Sequence, residues 1–67
     1  MNIFINNIPT KLPNDFVTIK DLVSWKQIPK QGTAIAVNDK LIKQDQWSSI
    51  YIKELDQITV ISAAFGG

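Results

Sequence analysis

The C-terminus carries the groups of this chain best suited to covalent chemistry, Gly66 and Gly67 with the α-carboxylate that follows them. Two residues without a Cβ form a segment thin enough to enter a narrow cleft and to bend there. A chain end frays unless packing holds it, so a partner enzyme can reach such a carboxylate. Because the carboxylate is ionised at neutral pH and inert toward acyl transfer, it must first be activated. A solvated end without function has the same composition.

The side chains leave little room for other chemistry. The chain has no Cys and no His, which excludes disulfides, thiolate nucleophiles, imidazole bases and zinc sites that use these residues. Scattered carboxylates beside turn residues or lysines are typical of solvated surface charge rather than of a catalytic pair. We therefore predict no metal site and no bound cofactor from the six acidic residues, Asp15, Asp21, Asp39, Asp45, Glu54 and Asp56.

Charge and hydropathy argue against two classes of partner. The formal net charge is +1, and seven lysines are spread from Lys11 to Lys53 with no two adjacent, which does not favour nucleic-acid binding. No apolar run approaches the roughly 18 residues that cross a bilayer, and the N-terminus does not resemble a signal peptide. We expect one small cytoplasmic domain that binds neither nucleic acid nor membranes, since 67 residues with 45% hydrophobic content suit a single core.

The first third of the chain predicts two strands. Ile3-Phe4-Ile5 is apolar and β-prone, and Asn6-Asn7 supplies two residues that tolerate positive φ, so we expect a strand that enters a hairpin. Pro9 and Pro13 interrupt the return. The short apolar pair Phe16-Val17 is therefore predicted to form the second strand.

A helix is predicted over residues 19–27. Thr18 and Asp21 provide a capping hydroxyl and an acid near the positive end of the helix dipole. Pro29 should end the helix, because the residue before a proline is disfavoured in the α region. The face at helical spacing consists of Ile19, Leu22, Val23 and Lys26, with Trp25 and Ile28 beside it.

The second half predicts three more strands. Thr33 to Val37 is a strand that turns at Asn38-Asp39 into a return at Leu41-Ile42, and residues 43–49 are irregular with at most one short helical turn. Ile58 to Ile61 is the strongest strand signal, and it leads directly toward the C-terminus. One helix of about nine residues must pack across a sheet to be stable. The fold class is therefore an α+β roll.

The chain contains, in this order, Met1-x-Ile3-x-x-Asn6, Thr18 ahead of Leu22-Val23, Ala36-Val37-Asn38, Trp47, Asp56-x-Ile58-x-Val60 and Gly66-Gly67. Together with the predicted order of elements, this set resembles the β-grasp or ubiquitin-like fold, and within it the ThiS family of sulfur carriers of thiamine biosynthesis. The resemblance implies a mixed five-stranded sheet with one main helix across one face. Two positions depart from the family pattern: Gln44 stands where Arg is frequent, which weakens any polar docking contact there, and Leu55 stands where Gly is frequent, which implies a different turn.

The resemblance also implies a function. A β-grasp domain over residues 1–63 would carry a flexible tail over residues 64–67. A ThiF-type adenylating enzyme would use ATP to join the Gly67 carboxylate to AMP, sulfur derived from cysteine through a sulfur-donating enzyme would replace AMP, and the resulting thiocarboxylate would serve a ThiG-type thiazole synthase. The chain would then be a carrier acted on by enzymes, not an enzyme. The alternatives are the small subunit of molybdopterin synthase, a ubiquitin-like modifier and an interaction module.

Partner contacts are predicted on the tail and on one face of the sheet. Gly66 is a spacer, Ala64 extends the reach, and Phe65 either enters an apolar pocket on the enzyme or folds back on the sheet. If Ile3, Ile35 and Ile58 face the helix, strand alternation sends Phe4, Ala36 and Ile61 to the opposite face. These three residues form either a partner-binding patch or scattered surface hydrophobics. Trp25 and Trp47 are predicted to pack in the core or at its edge.

Overall fold

The computed structural model describes residues 1–13 and 17–62, and these residues form a mixed five-stranded sheet with one α-helix. The strand order is β2-β1-β5-β3-β4, in which β5 pairs parallel with β1 and antiparallel with β3. This confirms the predicted α+β roll and its order of elements. The elements are β1 (Asn2–Ile5), β2 (Ile8–Lys11), α1 (Ile19–Trp25), β3 (Thr33–Val37), β4 (Lys40–Ile42), a 3₁₀ helix (Gln44–Gln46) and β5 (Gln57–Ser62).

The prediction for the second strand was wrong in position. The chain returns immediately after the Asn6-Asn7 turn as β2, in which Pro9 lies opposite Phe4. A two-residue hairpin is closed by a hydrogen-bonded pair, so the next pair exchanges no ladder bonds and the missing N–H of Pro9 costs nothing there. Because β2 is also an edge strand, it is one of the few places in a sheet where proline is tolerated.

Val17 is buried but lies outside any strand. Its carbonyl accepts a hydrogen bond from the Ile52 N–H at 2.9 Å, and the next residue, Thr18, forms an isolated bridge with Tyr51. The apolar character of Val17 therefore reports core packing rather than strand pairing. Phe16, the other half of that predicted strand, lies outside the described residues.

Helix α1 begins as predicted and ends two residues early. The Thr18 hydroxyl accepts from the Asp21 N–H at 3.2 Å, and the Asp21 carboxylate accepts from the Thr18 N–H at 3.0 Å, which completes a capping box. At the other end Gln27 adopts φ 55°. The N–H groups of Gln27 and Ile28 donate to the carbonyls of Ser24 and Val23, a Schellman motif that stops the helix before Pro29 acts.

The core lies between α1 and the inner face of the sheet. Ile3, Ile35 and Ile58 of three adjacent strands and Ile19 and Leu22 of the helix are each at most 1% exposed. Trp47 is also buried, which confirms its predicted packing role, whereas Trp25 lies at the rim and is 44% exposed. Lys26 is exposed rather than part of the buried face, with its ammonium 5.1 Å from the centre of the Trp25 ring. In the described ranges, no helix is long and apolar enough to cross a membrane.

Candidate functional site: the tail root and the outer face

Strand β5 is the element that positions any C-terminal chemistry, because it leads to the predicted tail. Its last three described residues, Val60 to Ser62, are called the tail root below. On one side β3 pairs with the tail root, with Ala34 opposite Ile61 and Thr33 opposite Ser62. Residues 64–67, the predicted tail, lie outside the described residues. The tail root is therefore the last part of the sheet that the structure describes before the predicted tail.

The other side of the tail root is held by a side chain. The last pair of the parallel β1–β5 ladder joins Ile5 and Ile58, and the Asn6 N–H then donates to the Ile58 carbonyl at 2.9 Å. Beyond this point β1 has ended. The Val60 N–H donates instead to Asn6 Oδ1 at 2.8 Å, so the asparagine side chain extends the ladder by one bond.

The beginning of β5 has a second polar network. The Gln57 N–H donates to Asn38 Oδ1 at 3.0 Å, and the Asn38 N–H donates to the Gln57 carbonyl at 2.8 Å. Asn38 Nδ2 donates to Asp56 Oδ1 at 3.0 Å, and the Lys53 N–H donates to Asp56 Oδ2 at 2.7 Å. Asp56 is only 9% exposed. A buried carboxylate needs such partners, so Asp56 holds the turn and is not a free catalytic acid.

The outer face, defined as the sheet face opposite α1, contains the three predicted partner-binding residues. Ile61 is 52% exposed, whereas Phe4 and Ala36 are half-buried. Ala36 pairs with Thr59 and Ile61 pairs with Ala34 on adjacent strands. The register thus brings Ala36 and Ile61 to one region.

Phe4 is not continuous with that region. It lies beside Pro9 and Gln57, and the polar side chains of Gln57 and Thr59 separate it from Ala36 and Ile61. A contiguous patch of all three residues is therefore not what the register gives. Two smaller apolar areas flank a polar strip on β5.

Sequence reasoning missed one residue of the outer face. Leu41 lies directly opposite Ala36 and is 65% exposed. The signal was available, because Ile42 is buried and strand alternation then sends Leu41 outward. Leu41 enlarges the apolar area around Ala36 and Ile61.

The two departures from the family pattern have local explanations. Leu55 adopts φ 67°, in the left-handed region that glycine favours, so leucine takes a conformation that glycine would adopt without strain, and the expectation of a different turn stays a prediction. The turn is held by Asn2, whose carbonyl accepts from the Leu55 N–H at 2.7 Å. Gln44 Nε2 donates to the Lys30 carbonyl at 2.9 Å, so this side chain stabilises a loop of its own domain.

Comparison with known proteins identifies the family. The model of the ThiS family matches residues 3–67. The thiamine biosynthesis protein ThiS from Geobacter metallireducens has a similar solved structure, with a TM-score of 0.85 and 14% identity, and the match covers 92% of this chain and 93% of that chain. No curated protein matches the sequence at a significant level. The structural likeness confirms the β-grasp fold, and the family match extends over nearly the whole sequence: the chain belongs to the ThiS family.

Proposed function

We propose that this ThiS-family sulfur carrier of thiamine biosynthesis works through the carboxylate of Gly67. A ThiF-type adenylating enzyme joins this carboxylate to AMP from ATP and releases pyrophosphate. Sulfide-level sulfur derived from cysteine, delivered by a sulfur-donating enzyme, attacks the acyl carbon, AMP leaves, and a thiocarboxylate remains. A ThiG-type thiazole synthase then receives the sulfur. The carrier binds no cofactor of its own, is acted on by these enzymes and works in the cytoplasm.

The observation that carries the proposal is the family match, which continues through Gly66 and Gly67. The chemistry of the chain supports it, because the sequence has no Cys and no His to serve as an alternative acyl acceptor or base. Asp56, a buried carboxylate, is occupied by two hydrogen bonds that hold a turn. The terminal carboxylate is then the group best suited to activation.

The fold supports the proposal because β5, the strand that precedes the predicted tail, is paired with both β1 and β3. Four residues span at most about 14 Å when extended, so Ala64 to Gly67 have the length to carry the carboxylate away from the domain. In this account Gly66 is the spacer that passes a narrow channel. Phe65 keeps both proposed roles, an apolar anchor in the enzyme or a contact with its own sheet.

The outer face supplies the remaining partner contacts in this proposal. Ile61 belongs to the tail root and Ala36 lies near it, and Phe4 forms a second apolar area across the polar strip of β5. An enzyme that binds the tail root also contacts this face, because both are formed by β5 and its neighbouring strands. Apolar area there favours association through burial.

Deletion of Gly67 tests the proposal. The truncated protein should unfold at the temperature of the wild type, since the core lies within residues 3–58, yet it should support no pyrophosphate exchange with ATP and a ThiF-type enzyme. Gly66→Val is the companion variant, because it adds a stiff Cβ-branched side chain while leaving the carboxylate in place. It should also lose exchange. A truncated protein that still accepts AMP at its end would contradict the assignment of function to the Gly67 carboxylate.

A further inference from the structure

The tail root depends on a bond from outside the regular sheet. β1 ends at Ile5, whereas β5 continues to Ser62, so the side of β5 that faced β1 runs past the end of its partner. Ladder groups alternate along a strand, and the Ile58 carbonyl and the Val60 N–H therefore point to the same side. Asn6 serves both, the first with its backbone N–H and the second with Oδ1.

The conformation of the turn aims this side chain. Asn6 and Asn7 adopt φ 52° and 68°, a left-handed pair that asparagine tolerates better than other non-glycine residues. Asn6 is thus placed at the corner where β1 stops, with a side chain short enough to reach one strand across. Asn7 occupies the same turn at the next position, which makes it a matched comparison.

We propose that Asn6 is a positioning residue for the C-terminal tail. Its bond to the Val60 N–H holds the tail root in place, and a tail root held in this way limits where the Gly67 carboxylate can reach in the adenylating enzyme. The inference rests on the proposed function. Without the bond, the tail root is held by β3 alone, and the reacting carboxylate samples more orientations. Misplacement by about 1 Å is enough to slow an enzymatic step strongly.

The test compares Asn6→Gly with Asn7→Gly, because glycine accepts the left-handed turn at either position and each variant removes one side chain. Hydrogen exchange of the Val60 amide reads the bond directly, independent of any enzyme. Protection should fall by about tenfold in Asn6→Gly and stay unchanged in Asn7→Gly. Asn6→Asp keeps an acceptor oxygen and should restore protection.

Adenylation kinetics, compared at equal concentrations of folded protein, then test the positioning role of Asn6. In Asn6→Gly we expect kcat for pyrophosphate exchange to fall by about tenfold while KM stays near the wild-type value, because the outer face that docks is untouched. Asn7→Gly should match the wild type, and Asn6→Asp should recover kcat. Simple loss of stability would not give this split once folded protein is matched.

Three results would overturn the inference, and one of them would also overturn the proposed function. If Asn6→Gly loses Val60 protection but keeps the wild-type kcat, or if Asn7→Gly lowers kcat equally, Asn6 does not position the tail although the proposed function stands. If the wild type itself takes no AMP, the proposed function fails and the positioning role fails with it.

Discussion

The two hairpins of this domain use the same turn for different purposes. Asn6-Asn7 and Asn38-Asp39 have nearly the same backbone, with φ 52° and 68° in one and 51° and 68° in the other. In each turn the first residue is an asparagine, and its side-chain oxygen accepts a hydrogen bond from a backbone N–H of β5. Asn38 also binds the buried Asp56 at the beginning of β5, whereas Asn6 acts at the tail root. In our proposal, the position along β5 decides whether the turn stabilises the fold or positions the tail root.

The largest effect should come from a substitution in the core that both hairpins share. Leu22 lies on α1 and is 1% exposed, in a core that also contains Ile3 of the first hairpin and Ile35 of the second. Leu22→Ala should lower the free energy of unfolding by about 2 to 5 kcal/mol through lost burial and a cavity. Chemical denaturation measures this. Hydrogen exchange should show both hairpins losing protection together, and loss in one hairpin alone would mean that the core is not shared.

Asn38→Gly should have the next largest effect and separates the second hairpin from the first. Glycine keeps the turn, but the Asp56 carboxylate and the Gln57 N–H each lose a partner, which should lower the free energy of unfolding by about 1 to 3 kcal/mol. Asp39→Gly is the control in the same turn and should cost a few tenths of a kcal/mol. If the two variants denature alike, the Asn38 bonds do not distinguish this hairpin.

Phe4→Ala probes the outer face on the first hairpin. Because the ring is half-buried beside Pro9 and Gln57, the free energy of unfolding should fall by about 1 to 2 kcal/mol, and binding to the adenylating enzyme should weaken. Leu41→Ala is the counterpart on the second hairpin, where 65% exposure should make the loss of stability smaller. Calorimetric titration at matched folded concentration reads the affinity. Unchanged affinity in both variants would remove the outer face from the binding surface.

Leu55→Gly should have the smallest effect and the opposite sign. Leu55 adopts a left-handed conformation, which in the two hairpins is taken by asparagine and aspartate. A leucine in this conformation is strained. Since Leu55 is 60% exposed, glycine loses little burial and should raise the free energy of unfolding by up to about 1 kcal/mol. Leu55→Ala keeps the Cβ and should not stabilise. A destabilised Leu55→Gly would indicate that the side chain contributes packing despite its exposure.

The local features of the two hairpins and of the helix were predicted from the sequence. Asn-Asn and Asn-Asp predicted both turns, Thr18 with Asp21 predicted the helix start, and apolar alternation placed Ile3, Ile35 and Ile58 inward. These features depend on residues close in the chain. The family resemblance added the β-grasp fold and the function that we propose for the chain end.

The long-range contacts were not predictable from the sequence. The bonds from Asn6 and Asn38 to β5 cross 54 and 19 residues of sequence, and no local pattern specifies them. β2 was misplaced because Pro9 breaks most strands, and only the final strand order makes it an edge residue. The early end of α1 depends on Gln27 in a left-handed conformation. A glycine at this position would have predicted the helix end, whereas a glutamine does not.

The central claim is that sulfur is carried on the Gly67 carboxylate, and intact mass tests it most directly. The protein is incubated with ATP, a ThiF-type adenylating enzyme, a sulfur-donating enzyme and cysteine. The wild type should gain the mass that corresponds to exchange of one oxygen for sulfur, fragmentation should place the gain at Gly67, and the Gly67 deletion should gain nothing. An unchanged wild-type mass with active enzymes, or a gain located elsewhere in the chain, would contradict the account.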